Sequence, residues 1–113
     1  MHELSICGSI ADIVRRHAAD RQVETIHVQV GQLRQIVPDT LVYCWSLVSA
    51  ETGLSGSVLA VESVRARITC HACGSATEID EFPVLRCGTC GGADVAVVAG
   101  DEFMITSLEL AEV

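Results

Sequence analysis

The chain has 113 residues, half of them hydrophobic, and carries 15 acidic against 7 basic side chains for a net charge of -8. That is enough for one ordinary domain, or a small domain with an appendage, whose core needs no cross-links. Lysine is absent and the arginines are scattered, which excludes the clustered cations of a nucleic-acid footprint.

No apolar run reaches the ~18 residues of a membrane span. Met1-His2-Glu3 opens without the basic and apolar regions of a signal peptide. Both point to a reducing cytosol, where paired cysteines bind metal or do redox chemistry more often than they form structural disulfides.

Leu4, Cys7, Ile10, Ala11, Val14 and Ala18 recur at helical spacing and predict a helix over 4–20, with Cys7 in its buried stripe. Residues 24–33 read as a strand, Ile26, Val28 and Val30 facing one way and Thr25, His27 and Gln29 the other. Gly31 marks its end or a close backbone approach. Pro38 suits the first turn of a second helix over 38–51, with Leu41, Val42, Cys44, Trp45 and Val48 buried and Gly53 as the stop. Trp45 reads as a core anchor. Residues 58–69 predict one long strand, apolar on both faces at first and alternating later, that runs into Cys70.

From Cys70 the pattern changes. Cys70-His71-Ala72-Cys73 and Cys87-Gly88-Thr89-Cys90 are two C-x2-C pairs at the spacing of a four-thiolate metal site. Zinc is the first expectation, and a rubredoxin-like iron remains open on spacing alone. A site closed by four thiolates has no free coordination position and is structural. Within this module Thr77–Ile79 and Val84–Arg86 are expected to pair around Asp80–Pro83, with Val95–Val98 as a third strand. So small a piece has little core, and the metal must supply most of its folding energy. Residues 102–110 form a closing strand too apolar for the module, which should return to the main sheet.

The expected fold is therefore α+β: two helices on one face of a three-stranded mixed sheet, with an inserted four-cysteine zinc ribbon. The first two strands form a parallel crossover, and the last strand lies antiparallel beside the second. The expected domains are 1–67 with 101–113 as a discontinuous α/β domain and 68–100 as the insert.

No catalytic constellation is present: the remaining cysteines sit in core stripes, and no glycine-rich phosphate loop follows a strand. The chain reads as no enzyme. His71, inside the first C-x2-C turn, is a candidate to protonate or to replace a thiolate. The other candidate is the N-terminus. A large second residue protects Met1 from removal, so the free amine sits on it. The Met1 amine, the His2 backbone nitrogen and imidazole, and the Glu3 backbone nitrogen can close adjacent rings around one square-planar Ni(II) or Cu(II).

These blocks together resemble the HypA/HybF family of nickel metallochaperones for hydrogenase maturation. The resemblance rests on Met1-His2-Glu3-Leu4-Ser5, on Val30-Gly31-Gln32-Leu33 before Val37-Pro38-Asp39, and on the two C-x2-C pairs followed by Phe103-Met104-Ile105-Thr106-Ser107-Leu108-Glu109-Leu110. It covers the whole chain, each block in order. It implies transferable Ni(II) at Met1, His2 and Glu3, and structural Zn(II) at Cys70, Cys73, Cys87 and Cys90. It implies as partners a nickel-handling maturation GTPase and the precursor large subunit of [NiFe]-hydrogenase, with urease maturation served by some relatives. The acidic balance and the lack of a long apolar run argue against nucleic acid and membrane as partners, the expected location is the cytoplasm, and monomer or homodimer stays open. The competing readings are a zinc-ribbon docking module without a transferable metal and a thiol redox protein.

Overall fold

The computed structural model describes residues 2–79 and 84–112, with His2 described by its backbone alone. The expected turn at Asp80–Pro83 lies outside the described residues. The elements run α1 (His2–Ala18), β1 (Val23–Gly31), a 3-10 turn (Gln32–Arg34), α2 (Pro38–Glu51), β2 (Val58–Val64), β3 (Arg67–Cys70), β4 (Ala76–Glu78), β5 (Val95–Ala99) and β6 (Phe103–Leu110). The chain divides into two compact units, Met1–Gln29 with Ile36–Glu62 and Met104–Val113, and Val30–Gln35 with Ser63–Phe103. Among the described residues no helix is long and apolar enough to cross a membrane.

In the first unit α1 begins at His2, two residues before the apolar periodicity does. Glu3 in its first turn suits the positive end of the helix dipole. Cys7, Ile10, Ala11 and Val14 are buried, whereas Leu4, expected in the same stripe, is half exposed. α2 has the expected ends: Pro38 occupies the first turn, and Gly53 follows at φ +79. Its buried stripe is Leu41, Cys44, Trp45 and Ser49. Val42 is 44% exposed, because the 41-44-45-48-49 spacing of the packed face passes it by. Trp45 donates its indole N–H to Ser57 Oγ at 3.1 Å, so its one polar atom is satisfied in the core.

β1 is central in the sheet β2-β1-β6. Ile26, Val28 and Val30 are buried on one face, and the intervening Thr25, His27 and Gln29 are half-buried. On that polar face His27 meets Glu109, and Gln29 Nε2 donates to Glu62 Oε1 at 2.8 Å. The closing strand lies beside the first strand rather than the second. Ala111 N–H donates to Gln22 O at 2.9 Å and Thr106 Oγ1 to His27 O at 3.2 Å, and these opposed positions make β6 antiparallel to β1. The crossover through α2 joins β1 to its other neighbour β2, the parallel half of a mixed sheet.

Burial, with Cys44 and Glu3 adding to it, pushes the Cys7 thiol up to about 11. The thiol also meets Leu41 O at 3.5 Å. Iodoacetamide at neutral pH is therefore expected to leave Cys7 unmodified until the protein is denatured, read by peptide mass mapping. Labelling of Cys7 in the folded chain would contradict its place in this core.

The second unit is built on β3, flanked by antiparallel β4 and β5, with Ile68 opposite both Thr77 and Val97. Val84–Arg86 is not a strand, since β4 and β5 already occupy both edges of β3. The expected long strand 58–69 is two strands. Between them Ala66 leaves the ladder: its N–H goes to Gln32 Oε1 at 2.8 Å and its carbonyl accepts Ile79 N–H at 2.9 Å. Ala66, Ile68 and Ile79 are buried, with Leu33, Leu85 and Val95 packed around them. The segment after β1 is stitched into the same unit. Gly31 N–H donates to Glu102 O at 2.7 Å, Leu33 N–H to Gly100 O at 2.8 Å and Arg34 Nε to Asp101 O at 2.9 Å.

Candidate metal centre

Two turns of the same construction hold the four cysteines. In the first, Cys70 N–H donates to Ser75 O and Gly74 N–H returns to Cys70 O, both at 2.9 Å. In the second, Cys87 N–H donates to Gly92 O and Gly91 N–H returns to Cys87 O, again both at 2.9 Å. Gly74 (φ +77) and Gly91 (φ +74) hold the left-handed position that lets each turn close. Each turn points two sulfurs inward. The four Sγ atoms lie within 4.8 Å of one another, with Cys70–Cys90 at 3.7 Å and Cys73–Cys87 at 3.5 Å. A tetrahedron with bonds of about 2.3 Å has edges near ~3.8 Å, whereas a disulfide needs about 2.05 Å. All four thiols are free, and the disulfide alternative fails on distance. The donor set and its spacing fit a four-coordinate metal ion.

The electrostatics agree. Thr89 and Cys90 aim their backbone N–H groups at Cys87 Sγ from 3.4 and 3.5 Å. The Cys90 N–H leads in bringing the Cys87 thiol down to about 6, helped by Thr89. The Ser75 hydroxyl, then its N–H, lowers Cys73. For Cys90 the Gly92 N–H pulls down, but hydrogen bonds with Cys70 and Cys87 outweigh it and push that thiol up to about 11. Crowding thus separates thiols that give up a proton more easily, Cys73 and Cys87, from one that keeps it, Cys90. A divalent cation removes the conflict by replacing the shared protons. Cys70 and Cys87 are buried, while Cys73 and Cys90 are open to solvent.

His71 is outside the ligand group formed by the cysteines. Its Nδ1 meets Asp94 Oδ1 at 2.9 Å and its backbone N–H donates to Asp94 O. Asp94 gave no sign of this role in the sequence, because its partner lies 23 positions away. Ser75, by contrast, stands only two places after Cys73, so its role is legible by position.

At the N-terminus, Met1 and the His2 side chain lie outside the described residues. Glu3 Oε2 accepts the Val37 N–H at 3.5 Å, at the start of α2. The Glu3 carboxyl is held below its usual range, first by its own backbone N–H and further by that of Val37. Asp39 is exposed in the first turn of α2.

A four-thiolate metal site in one unit, and a small mixed sheet with two helices in the other, define a two-unit metal-binding protein. The chain belongs to the HypA family, described as hydrogenase/urease nickel incorporation metallochaperones, which it matches over residues 1–110. It is 34% identical to the hydrogenase maturation factor HypA of Geobacter metallireducens over 97% of this chain and 99% of the relative. It is 36% identical to that of Streptomyces avermitilis over 96% and 86%. The fold is similar to a solution structure of a HypA protein, with a TM-score of 0.69 at 20% identity over 98% and 97% of the two chains. It is also similar to that of the Ni metallochaperone HypA from Helicobacter pylori, with a TM-score of 0.66 at 19% identity over 96% of each. The family consists of metallochaperones and maturation factors, so the chain is not an enzyme.

Proposed function

We propose that the chain takes up Ni(II) at its N-terminus and delivers it during maturation of [NiFe]-hydrogenase, and in some settings of urease. The family match along the whole chain carries this reading. The start of α1 at His2 supports the site. The first N–H groups of a helix have no intrahelical partner, so ligation by the backbone nitrogens of His2 and Glu3 would break no bond of the helix ladder. With the Met1 amine and the His2 imidazole they supply a planar nitrogen set suited to Ni(II). Two deprotonated amides neutralise the ion's charge beside the positive end of the helix.

In this reading Cys70, Cys73, Cys87 and Cys90 hold structural Zn(II), which folds the insert at 68–100, and residues 1–67 with 101–113 carry the nickel. The partners are a nickel-handling GTPase and the hydrogenase large-subunit precursor, in the cytoplasm. The test is a Ni(II) titration of untagged, nickel-free protein beside His2→Ala and a variant with a short N-terminal extension. Both changes are expected to weaken Ni(II) by more than the about 10–100-fold typical of losing a mere supporting contact, with zinc content unchanged. Unaltered stoichiometry and affinity in both variants would overturn the N-terminal site.

A further inference from the structure

Among the described residues β5 (Val95–Ala99) has a neighbouring strand on one side alone, in the strand order β4-β3-β5. His71 N–H donates to Asp94 O at 2.9 Å where the β3–β5 pair begins. Bonded and non-bonded pairs alternate along an antiparallel ladder. With Cys70↔Val95, Thr69↔Ala96 and Ile68↔Val97 next in register, Ala96 turns its amide and carbonyl to β3, while Val95 and Val97 turn theirs to the open edge. The outward Val95 N–H is taken locally by Ala93 O at 3.0 Å. At Val97, among the described residues, no strand lies against that edge.

Proteins usually blunt such an edge with charge or proline. Here the strand is Val95-Ala96-Val97-Val98-Ala99, without a charge, and Val97 and Val98 are 41% and 53% exposed. A bulge places Val98 as the extra residue between the pairs Ile68↔Val97 and Arg67↔Ala99. Beside it a shallow cleft of about 300 Å³ is lined by Val97, Val98, Ala99, Asp101 and Glu102. Carboxylates stand at both ends of the strand. Asp94 and Asp101 have side chains 78% and 74% exposed even though His71 and Arg34 approach them.

We infer that β5 is a docking edge for an extended segment of another protein, apolar in alternate positions and flanked by lysine or arginine, which adds as a fourth strand. Backbone pairing at Val97 supplies affinity, the valines and the cleft take the apolar side chains, and the flanking carboxylates select basic ends. A second copy of the chain fits poorly. Antiparallel self-pairing about Val97 sets Asp94 opposite Gly100 and Asp101 opposite Ala93, which brings the carboxylates of two chains of charge -8 together.

The test uses the metal-loaded full chain, 15N-labelled, titrated with a short peptide of alternating valine and threonine between terminal lysines. Saturable shifts confined to Val95–Ala99 and slowed exchange of the Val97 amide are expected. A twin peptide with terminal glutamates should bind about tenfold more weakly or worse. Val97→Pro, which removes an outward amide and no ladder bond, should abolish the shifts. Val98→Lys, which places a cation on the edge, should weaken the lysine peptide if the proline variant does not fold. Absence of shifts at β5, equal binding of the two peptides, or broadening of β5 that depends on protein concentration alone would each overturn the proposal.

Discussion

Stripping the metal from the cysteine quartet, or replacing Cys87 by serine, is expected to unfold the second unit and leave α1 and α2 folded. Cys87 is buried and takes two backbone N–H groups, and its sulfur packs 3.5 Å from that of Cys73. The unit's own buried apolar cluster is Ala66, Ile68 and Ile79, too little to hold β3, β4 and β5 against chain entropy. A structural zinc site contributes about 10–16 kcal/mol in small metal-folded modules, which exceeds what such a cluster supplies. The first unit has a separate core, including Ile10, Val14, Ile26, Val28, Leu41 and Trp45. Trp45 is the sole tryptophan and lies in that unit. Chelation should leave its emission nearly unchanged while amide exchange at Ile68 and Thr69 rises toward that of an unfolded chain. Retained protection in the metal-free protein would show that the apolar cluster suffices.

Gly31→Ala and Gly100→Ala should each cost at least about 3 kcal/mol, whereas Gly8→Ala should gain about 0.5–1 kcal/mol. A Cβ on Gly31 would stand 2.0 Å from Gly100 O and 2.7 Å from Asp101 N. One on Gly100 would stand 2.4 Å from Ala66 Cα, at a φ of +100 that L side chains rarely adopt. These contacts are backbone against backbone, so no rotamer change relieves them. The hydrogen bonds from Gly31 to Glu102 and from Leu33 to Gly100 tie the same segments together. Gly8 has nothing within 4 Å of its would-be Cβ and sits inside a helix, where glycine is the poorer choice. Urea denaturation midpoints compare the three variants. A Gly100→Ala midpoint equal to that of the parent would mean that the close approach relaxes freely.

Local chemistry made part of this fold legible. The ends of α2 follow from proline geometry at Pro38 and the left-handed freedom of Gly53. The cysteine turns follow from C-x2-C spacing with a glycine after each pair. What stayed hidden was set by distant partners. Ala66 looks like any small residue in an alternating strand, yet the Gln32 side chain and the Ile79 amide pull its backbone out of the ladder and divide the strand. Alternation along 102–110 predicts a face but not a neighbour, so the seat of β6 beside β1 was open to misassignment. Val42 and Leu4 are apolar at plausible helical positions, and only the packed geometry shows them facing out. At the N-terminus the proposed nickel ligand set rests on donor chemistry and family resemblance, to which the fold adds the start of α1 at His2.

Two residues of the quartet, Cys73 and Cys90, are exposed, while Cys70 and Cys87 are buried. An ion bound there is approachable from one side while the unit is still folded. A chelator would then reach the exposed pair, Cys73 and Cys90, before the buried pair, Cys70 and Cys87. Metal loss would then be expected to quicken with chelator concentration, instead of levelling off at the pace of spontaneous opening. Oxidants and competing thiophilic cations enter by the same open side, so long kinetic retention of the ion depends on what covers Cys73 and Cys90 in an assembled complex.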